Sequence, residues 1–215
     1  GSAEAVDKRD GGSAFGGYDV MQGVAAVNGE IAQRLRGLNA LDQEAADRSL
    51  IELDGTANKS RLGGNALIAT SMAIAHAAAN GEGLALWRFL GNDRDDFFLP
   101  LPEIQIFGGG AHAGRRVDVQ DFMVIAIGAD SYAQSLEWTA EVYRAAGKIM
   151  SDAGLMQGVA DEGGYWPAFN SNDQALDFLV RAIEGAGLIP GDDVAISLDI
   201  AATDFYRDGL YQLST

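Results

Sequence analysis

The stretch Val194-Ala195-Ile196-Ser197-Leu198-Asp199 is a short apolar run that ends in a carboxylate. Such a run is typical of a buried β-strand. In α/β barrels the functional groups lie at the C-terminal ends of the strands. The stretch therefore predicts an α/β fold in which Asp199 is a ligand or a catalyst. An aspartate at this position can also cap the following turn.

Strand-like and helical segments alternate along the chain before this stretch. Residues 104–107 and 122–127 have the composition of β-strands, whereas residues 132–150 and 173–186 have helical periodicity. Two strands, two helices and a further strand therefore make up the predicted α/β region.

The first hundred residues are instead dominated by helical periodicity. Four helices are predicted, at about residues 20–38, 41–53, 65–80 and 84–90. The third is apolar on most of its sides, which favours burial between other elements. Residues 92–96 are polar and predict an exposed linker. We therefore expect two domains, a mostly helical one over residues 1–96 and an α/β one over residues 97–215.

Composition limits the class of protein and its partners. The 215 residues are 47% hydrophobic, which suffices for a globular core. A formal net charge of −16 disfavours nucleic acid and anionic membranes as partners. There is no cysteine, so disulfides, zinc–thiolate sites and thiol nucleophiles are excluded. No signal-peptide or membrane-spanning pattern is present, which predicts a cytoplasmic protein, but Gly1-Ser2 without a methionine leaves the true N-terminus open.

Asp161-Glu162-Gly163-Gly164 is the motif that best predicts chemistry. Two adjacent carboxylates stand beside glycines that permit a tight turn, so the backbone can hold an acid in a site. Three other segments stand in order around it: Leu53-Asp54-Gly55-Thr56-Ala57-Asn58-Lys59-Ser60, Gly109-Gly110-Ala111-His112-Ala113 and Ile196-Ser197-Leu198-Asp199. Together these segments resemble the enolase family, and the resemblance extends from about Glu4 to Tyr211.

This resemblance implies a fold and an activity. The fold would be the helical part of the enolase N-terminal α+β domain, followed by the first part of an enolase-type TIM-like barrel with a β-β-α-α opening. The activity would be that of a lyase, the hydro-lyase phosphopyruvate hydratase, which reversibly dehydrates 2-phospho-D-glycerate to phosphoenolpyruvate in glycolysis and gluconeogenesis. The implied partners are this phosphorylated small-molecule substrate and Mg²⁺. The complete protein is expected to be a homo-oligomer, a dimer or higher.

The resemblance also assigns roles to four residues. Glu162 stands at the acid that protonates the departing hydroxyl group, and Asp199 stands at a metal ligand. His112 stands at the histidine of a mobile loop that closes near the substrate phosphate. Asp121 stands where the family has a glutamate that assists the acid side of the site, so His112 and Asp121 are both expected to bind substrate. Without the resemblance, Glu162 would be interpreted as part of an acidic turn and His112 as a hydrogen-bonded structural residue.

The chain departs from the family pattern at two positions and in its extent. Asp121 is one methylene shorter than the family's glutamate, and Gly108 replaces an asparagine. The family's catalytic lysines, a later histidine, two further metal carboxylates and most of the N-terminal sheet are expected outside these residues. We therefore expect an incomplete and inactive portion of an enolase. The alternative is a divergent, non-catalytic binding or scaffold protein.

Three features receive a structural interpretation. Residues 108–113 satisfy a dinucleotide-binding fingerprint with alanine at its last position, but residues 117–124 lead into another strand and leave no helix N-terminus for a pyrophosphate. We therefore reject a Rossmann site. His76 lies in the alanine-rich helix without a matching role, and residues 53–60 are expected to connect two helices.

Overall fold

The computed structural model describes residues 4–92 and 94–214. The chain divides into two compact units, of which the first ends at Phe97 and the second begins at Phe98. Asp93 of the predicted linker and the initial Gly1-Ser2 lie outside the described residues. Within the described ranges, no helix combines the length and the apolar character needed to cross a membrane.

The first unit is helical. The predicted helix at residues 20–38 is interrupted, because a π-helical turn at Val27–Ile31 divides it. Gly29 in this turn has φ −100° and ψ −105°, a backbone conformation outside the helical region that glycine permits. The α-helices are α1 (Met21–Ala26), α2 (Ala32–Leu35), α3 (Gln43–Asp54), α4 (Gly64–Gly81) and α5 (Leu86–Leu90).

The long helix α4 is less buried than the sequence predicts. Its first turns contribute Ala66 and Leu67 to a small apolar core, whereas Ile68 and Met72 are 62% and 59% exposed. The reason is that α1, α3 and α5 pack against α4 and leave one of its faces uncovered. An apolar composition on most sides of a helix therefore did not predict which side is buried.

The segment between α3 and α4 folds around the Asp54 carboxylate, which is 2% exposed. Asp54 Oδ1 accepts hydrogen bonds from the Thr56 hydroxyl and the Thr56 N–H (2.9 Å), and Oδ2 accepts one from the Leu62 N–H (2.8 Å). Burial alone would raise the pKa of Asp54, but these hydrogen bonds and the charge of Lys59 outweigh burial and lower the pKa. The segment connects two helices, as predicted.

The second unit is an α/β unit with an open five-stranded sheet. Its strands are β1 (Glu103–Gly108), β2 (Asp121–Ile125), β3 (Met156–Val159), β4 (Tyr165–Pro167) and β5 (Ala195–Asp199), in the sheet order β3-β4-β1-β2-β5. β1 and β4 are parallel, whereas β2 is antiparallel to both β1 and β5. A separate hairpin consists of β6 (Tyr206–Arg207) and β7 (Leu210–Tyr211). The described strands form no closed barrel.

Two long helices, α6 (Tyr132–Asp152) and α7 (Asn172–Gly185), pack against each other and against β1 and β2. Each begins at a serine, Ser131 or Ser171, whose hydroxyl oxygen accepts a hydrogen bond from a backbone N–H in the first turn. The resulting core contains fully buried residues from both layers, among them Ile106, Phe107, Phe122, Val124, Val142, Met150, Leu179 and Ile183. This core fixes the two strands that carry the candidate site.

The strands and helices predicted for this unit are present, with one correction and one omission. The run 194–199 was predicted to be a buried strand, but β5 is partly exposed and Asp199 is exposed. The reason is that β5 is the outermost strand of the sheet and has a neighbouring strand on one side only. Strands β3, β4, β6 and β7 were not predicted, since each has only two to four residues. After Gly109 the described chain forms a short 3-10 turn, Gly110–Ala113, instead of the α-helix that a dinucleotide site needs.

Candidate functional site

Three strand ends of the second unit lie side by side at one edge of the sheet. Gly108 at the end of β1 pairs with Asp121 at the start of β2, and Asp121 pairs with Asp199 at the end of β5. Because β2 is antiparallel to its neighbours, its first residue lies at the same edge as their last residues. The sheet thus places the two carboxylates on neighbouring strands at one edge.

The turn between β3 and β4 carries Glu162. Two backbone hydrogen bonds close it, from the Gly163 N–H to Ala160 O (3.0 Å) and from the Ala160 N–H to Gly164 O (2.7 Å). Gly163 has φ +96°, which a residue with a side chain rarely adopts. Since β4 pairs with β1, the turn lies beside the end of β1. The Glu162 side chain is 50% exposed, so a ligand can reach it.

Tyr143 of α6 supports the same turn. Its hydroxyl donates to Gly163 O (3.0 Å), and its ring stacks on that of Tyr165 with centroids 4.2 Å apart. Burial, together with the neighbouring Tyr143, raises the pKa of Tyr165. A Cβ on Gly147 would lie 2.4 Å from the Tyr165 hydroxyl oxygen, so the helix needs a glycine there. The paired rings therefore join α6 to the turn that carries Glu162.

His112 lies in the 3-10 turn Gly110–Ala113 that follows β1. A Cβ on Gly109 would lie 2.2 Å from Val119 O, so only glycine fits at the start of this turn. Farther along, the Arg116 guanidinium donates to oxygen atoms of residues 168–170 at 3.3–3.4 Å. The segment around His112 is thus anchored on both sides. The mobility that the resemblance implies for it stays a prediction.

The side chains of His112, Asp121 and Glu162 converge at the sheet edge. His112 Nδ1 lies 3.7 Å from Asp121 Oδ1 and 3.6 Å from Glu162 Oε1. One possible ligand atom of each residue lies within 4.8 Å of the others. Nδ1 is buried and has no hydrogen-bond partner in the described part of the chain, since both distances exceed hydrogen-bond range. An unpartnered polar atom between two carboxylates indicates a place for a ligand or a transferable proton.

Two glutamine amides hold the buried carboxylate of Asp121. Gln105 Nε2 donates to Oδ1, and Gln120 Nε2 donates to Oδ2 (2.9 Å). Gln120 Nε2 also lies 3.3 Å from Asp199 Oδ2, so one amide contacts both strand-end carboxylates. Asp121 therefore has a fixed orientation before any ligand binds.

Asp199 lies at this edge but outside the cluster of His112, Asp121 and Glu162. Its Oδ1 accepts a hydrogen bond from the Ala201 N–H (3.0 Å), which is the turn-capping contact that the sequence offered as an alternative. Mg²⁺ takes about six oxygen ligands, and an imidazole nitrogen suits transition metals better. The described residues do not complete a magnesium site, so metal binding by Asp199 stays a prediction.

Sequence analysis missed three polar residues at the site. Gln105 had a signal, because it is a polar residue inside the apolar run 104–107, and a buried polar side chain needs partners. Gln120 stands directly before Asp121, but an exposed position there would look the same. Tyr143 had no signal, since its partner Gly163 is 20 residues away on a different element.

Two family models match the chain. Residues 1–90 match the N-terminal domain of enolase, and residues 96–215 match its C-terminal TIM barrel domain. The second match alone covers more than half of the chain and contains the whole cluster of His112, Asp121 and Glu162. These matches confirm the resemblance seen in the ordered motifs, and the chain belongs to the enolase family.

Proposed function

We propose that the cluster of His112, Asp121 and Glu162 is part of the active site of an enolase. This enzyme reversibly dehydrates 2-phospho-D-glycerate to phosphoenolpyruvate, which is the phosphopyruvate hydratase reaction of glycolysis and gluconeogenesis. The observation that carries the proposal is the convergence of His112, Asp121 and Glu162 in a chain of the enolase family. One imidazole and two carboxylates from three separate segments are groups that can take part in general acid–base chemistry.

The reaction is difficult because negative charge accumulates on the substrate. The proton to be removed lies next to the substrate carboxylate, so its loss leaves an intermediate with one more negative charge. The neighbouring carbon then loses its hydroxyl group, which takes up a proton and leaves as water while the double bond forms. The site must therefore supply a base, an acid and positive charge around the substrate.

Glu162 is the proposed acid. Its side chain is accessible, and hydrogen bonds from Tyr143 to Gly163 O and within the turn hold the neighbouring backbone. Once protonated, Glu162 gives its proton to the departing hydroxyl group. His112, when protonated, binds the substrate phosphate, and the buried Asp121 assists the acid side from a fixed position.

The base is not assigned to any described residue. Enolase-superfamily sites are known to use a lysine or histidine base with one or two magnesium ions, so this requirement is general and not inferred from the present geometry. The side chains of the three lysines contact groups outside the His112, Asp121 and Glu162 cluster. Lys8 contacts the Arg61 carbonyl (2.6 Å), Lys59 the Thr56 carbonyl (3.1 Å) and Lys148 the Asp152 carboxylate (2.5 Å). We therefore expect the 215 residues alone to lack hydratase activity.

The proposal includes a cofactor, a partner, a cellular location and an oligomeric state. Mg²⁺ is the proposed ion, with Asp199 as one ligand and the remaining oxygen ligands supplied by other groups. The proposed partner is a phosphorylated small molecule, and the net charge of −16 argues against nucleic acid and anionic membranes. The proposed complete protein is a cytoplasmic homo-oligomer.

A non-catalytic enolase-like binding or scaffold protein is the second candidate. It is favoured by Asp121, whose carboxylate is withdrawn by about one carbon–carbon bond relative to a glutamate, a displacement that can greatly reduce catalysis. The glycine at position 108 is the second departure in its favour.

A turnover assay distinguishes the two candidates. The complete protein that contains this chain is expected to form phosphoenolpyruvate from 2-phosphoglycerate with excess magnesium, followed by absorbance. Glu162→Gln is expected to lower kcat by about 100-fold or more, because an amide cannot supply the proton. Asp161→Asn, which changes the neighbouring carboxylate, is the matched control and should retain activity. Binding of 2-phosphoglycerate without turnover would support the second candidate and contradict the first.

A further inference from the structure

Gln105 is a buried side chain that contacts two parts of the site at once. Its Nε2 donates to Asp121 Oδ1, and its Oε1 accepts a hydrogen bond from the Gly164 N–H (2.7 Å). The first contact reaches from β1 to β2, and the second reaches the turn that carries Glu162. Gln105 is 6% exposed, so water does not compete effectively for either contact.

The backbone around Gln105 makes room for its amide by omitting side chains. A Cβ on Gly164 would lie 2.6 Å from Gln105 Oε1. A Cβ on Gly108 would lie 2.3 Å from the Ala160 Cβ and 3.3 Å from Gln105 Nε2. Neither glycine therefore accepts a side chain unless Gln105 or the Glu162 turn moves. The glutamine and the two glycines form one packed arrangement.

Both departures from the enolase pattern meet at this arrangement. Asp121 is the shortened carboxylate that the Gln105 amide binds, and Gly108 is the position beside the amide where a side chain is missing. A shorter carboxylate is withdrawn toward its own strand, and the hydrogen bond from Gln105 determines where its Oδ1 lies. The two departures thus lie beside the same amide.

We propose that Gln105 is a positioning residue that sets the separation between the Asp121 carboxylate and the turn that carries Glu162. The inference rests on the proposed function, in which both carboxylates act on the acid side of the site. Without the amide, Asp121 Oδ1 loses a donor and the Gly164 N–H loses its acceptor. The Asp121 carboxylate and the turn that carries Glu162 are then no longer tied to one side chain. Gln105 acts through them and does not itself donate a proton.

Amide hydrogen exchange on the 215-residue chain tests this contact directly. Gln105→Met keeps the approximate size of the side chain and removes both hydrogen bonds. The matched control is Thr139→Val, which removes a buried hydroxyl that donates to Ser135 O (2.8 Å) within α6. After correction for global stability, we expect the Gly164 amide to exchange about tenfold faster in Gln105→Met and at the wild-type rate in the control.

Two results of this measurement would overturn the proposal. One is an unchanged Gly164 amide, and the other is an equal acceleration of all amides, which is the signature of a merely structural role. If Gln105→Met does not fold, Gln105→Asn gives the same readout, because it keeps an amide but is one methylene too short to make both contacts.

Kinetics of the complete protein supply the functional readout. Gln105→Met is expected to lower kcat about tenfold or more while KM changes less than about twofold, because substrate binding is kept and the acid side is misplaced. An unchanged kcat would overturn the positioning role. A wild-type protein without turnover would instead contradict the proposed function, and the exchange of the Gly164 amide would still show whether Gln105 holds the turn.

Discussion

Asp54 and Asp121 are both buried carboxylates, but the chain provides their partners in different ways. Asp54 accepts its hydrogen bonds from residues two and eight positions along the chain, so its own segment surrounds it. Asp121 is held by the amides of Gln105 and Gln120, one of which comes from another strand. It also lies 3.7 Å from the buried and unpartnered Nδ1 of His112.

We interpret this difference as one between a carboxylate that stabilises the fold and a carboxylate that the proposed function uses. Two backbone N–H groups and one hydroxyl of a single segment satisfy Asp54, and the result is a closed local structure between two helices. Side chains of several elements orient Asp121 and leave an imidazole nitrogen beside it without a partner. We expect stability to depend mainly on the first carboxylate and function mainly on the second.

Replacement of each carboxylate by an amide tests this distinction with the largest expected effect. Asp54→Asn should lower the free energy of unfolding by about 3 kcal/mol, because the new NH2 group faces a backbone donor in a buried site. Asp121→Asn should cost less than about half as much, because the Gln120 amide can rotate to present its oxygen. Urea unfolding at pH 7 measures both, with the exposed Asp152→Asn as control. Equal losses at the two positions would remove the distinction.

The next largest effect on stability is expected from the packing beside Asp121. Gly108→Ala is expected to cost about 2 kcal/mol, because its Cβ would lie 2.3 Å from the Ala160 Cβ. The double variant Gly108→Ala/Ala160→Gly should recover most of this loss in urea unfolding. Gly185→Ala, whose Cβ would meet only ordinary contacts at 3.5 and 3.7 Å, is the control and should be nearly neutral. Absence of recovery would show that Ala160 is not what requires a glycine.

The pH dependence of stability isolates Asp54. Its folded-state pKa lies below the ordinary value of 3.8, so its stabilising charge is fully present above that value and is lost as the pH falls through the lower folded pKa. The difference in unfolding free energy between the wild type and Asp54→Asn should therefore be constant at neutral pH and shrink in acid. Urea unfolding at several pH values measures this difference. A difference that persists undiminished in strong acid would contradict the assignment of the stabilisation to the charge of Asp54.

The smallest expected effect is magnesium binding to the 215 residues. Asp199 offers one carboxylate, one oxygen of which already accepts a hydrogen bond from Ala201, so most of the coordination shell would remain water. Calorimetry should detect no tight site. A submicromolar affinity abolished by Asp199→Asn would show that the described residues complete a metal site after all.

The secondary structure of the second unit was largely predictable because its signals are local. The two long helices carry their own periodicity and begin at serine caps, Ser131 and Ser171. The break at Gly29 in the first unit was not predicted, although glycine permits its backbone conformation. The strands β3 and β4 were missed because each has only three or four residues. The exposure of β5 follows from its position as the outermost strand, which the sequence of a single segment does not reveal.

The sequence named three side chains that converge in the candidate site, but it did not predict their geometry. His112, Asp121 and Glu162 came from ordered motifs that resemble a family. Their convergence within 4.8 Å depends on the antiparallel direction of β2 and on a turn between two unpredicted strands. Gln105 was missed because its partners lie 16 and 59 positions away along the chain.

The central claim is that Glu162 is the acid of a dehydration reaction, and one measurement tests it most directly. In the complete protein, solvent deuterium exchange at the substrate carbon next to the carboxylate is measured beside phosphoenolpyruvate formation, for the wild type, Glu162→Gln and the control Asp161→Asn. Because the amide keeps the shape of the side chain but cannot donate the proton, Glu162→Gln should slow dehydration by about 100-fold while exchange continues at a comparable rate. Equal loss of exchange and dehydration, with folding and metal binding preserved, would contradict the assignment.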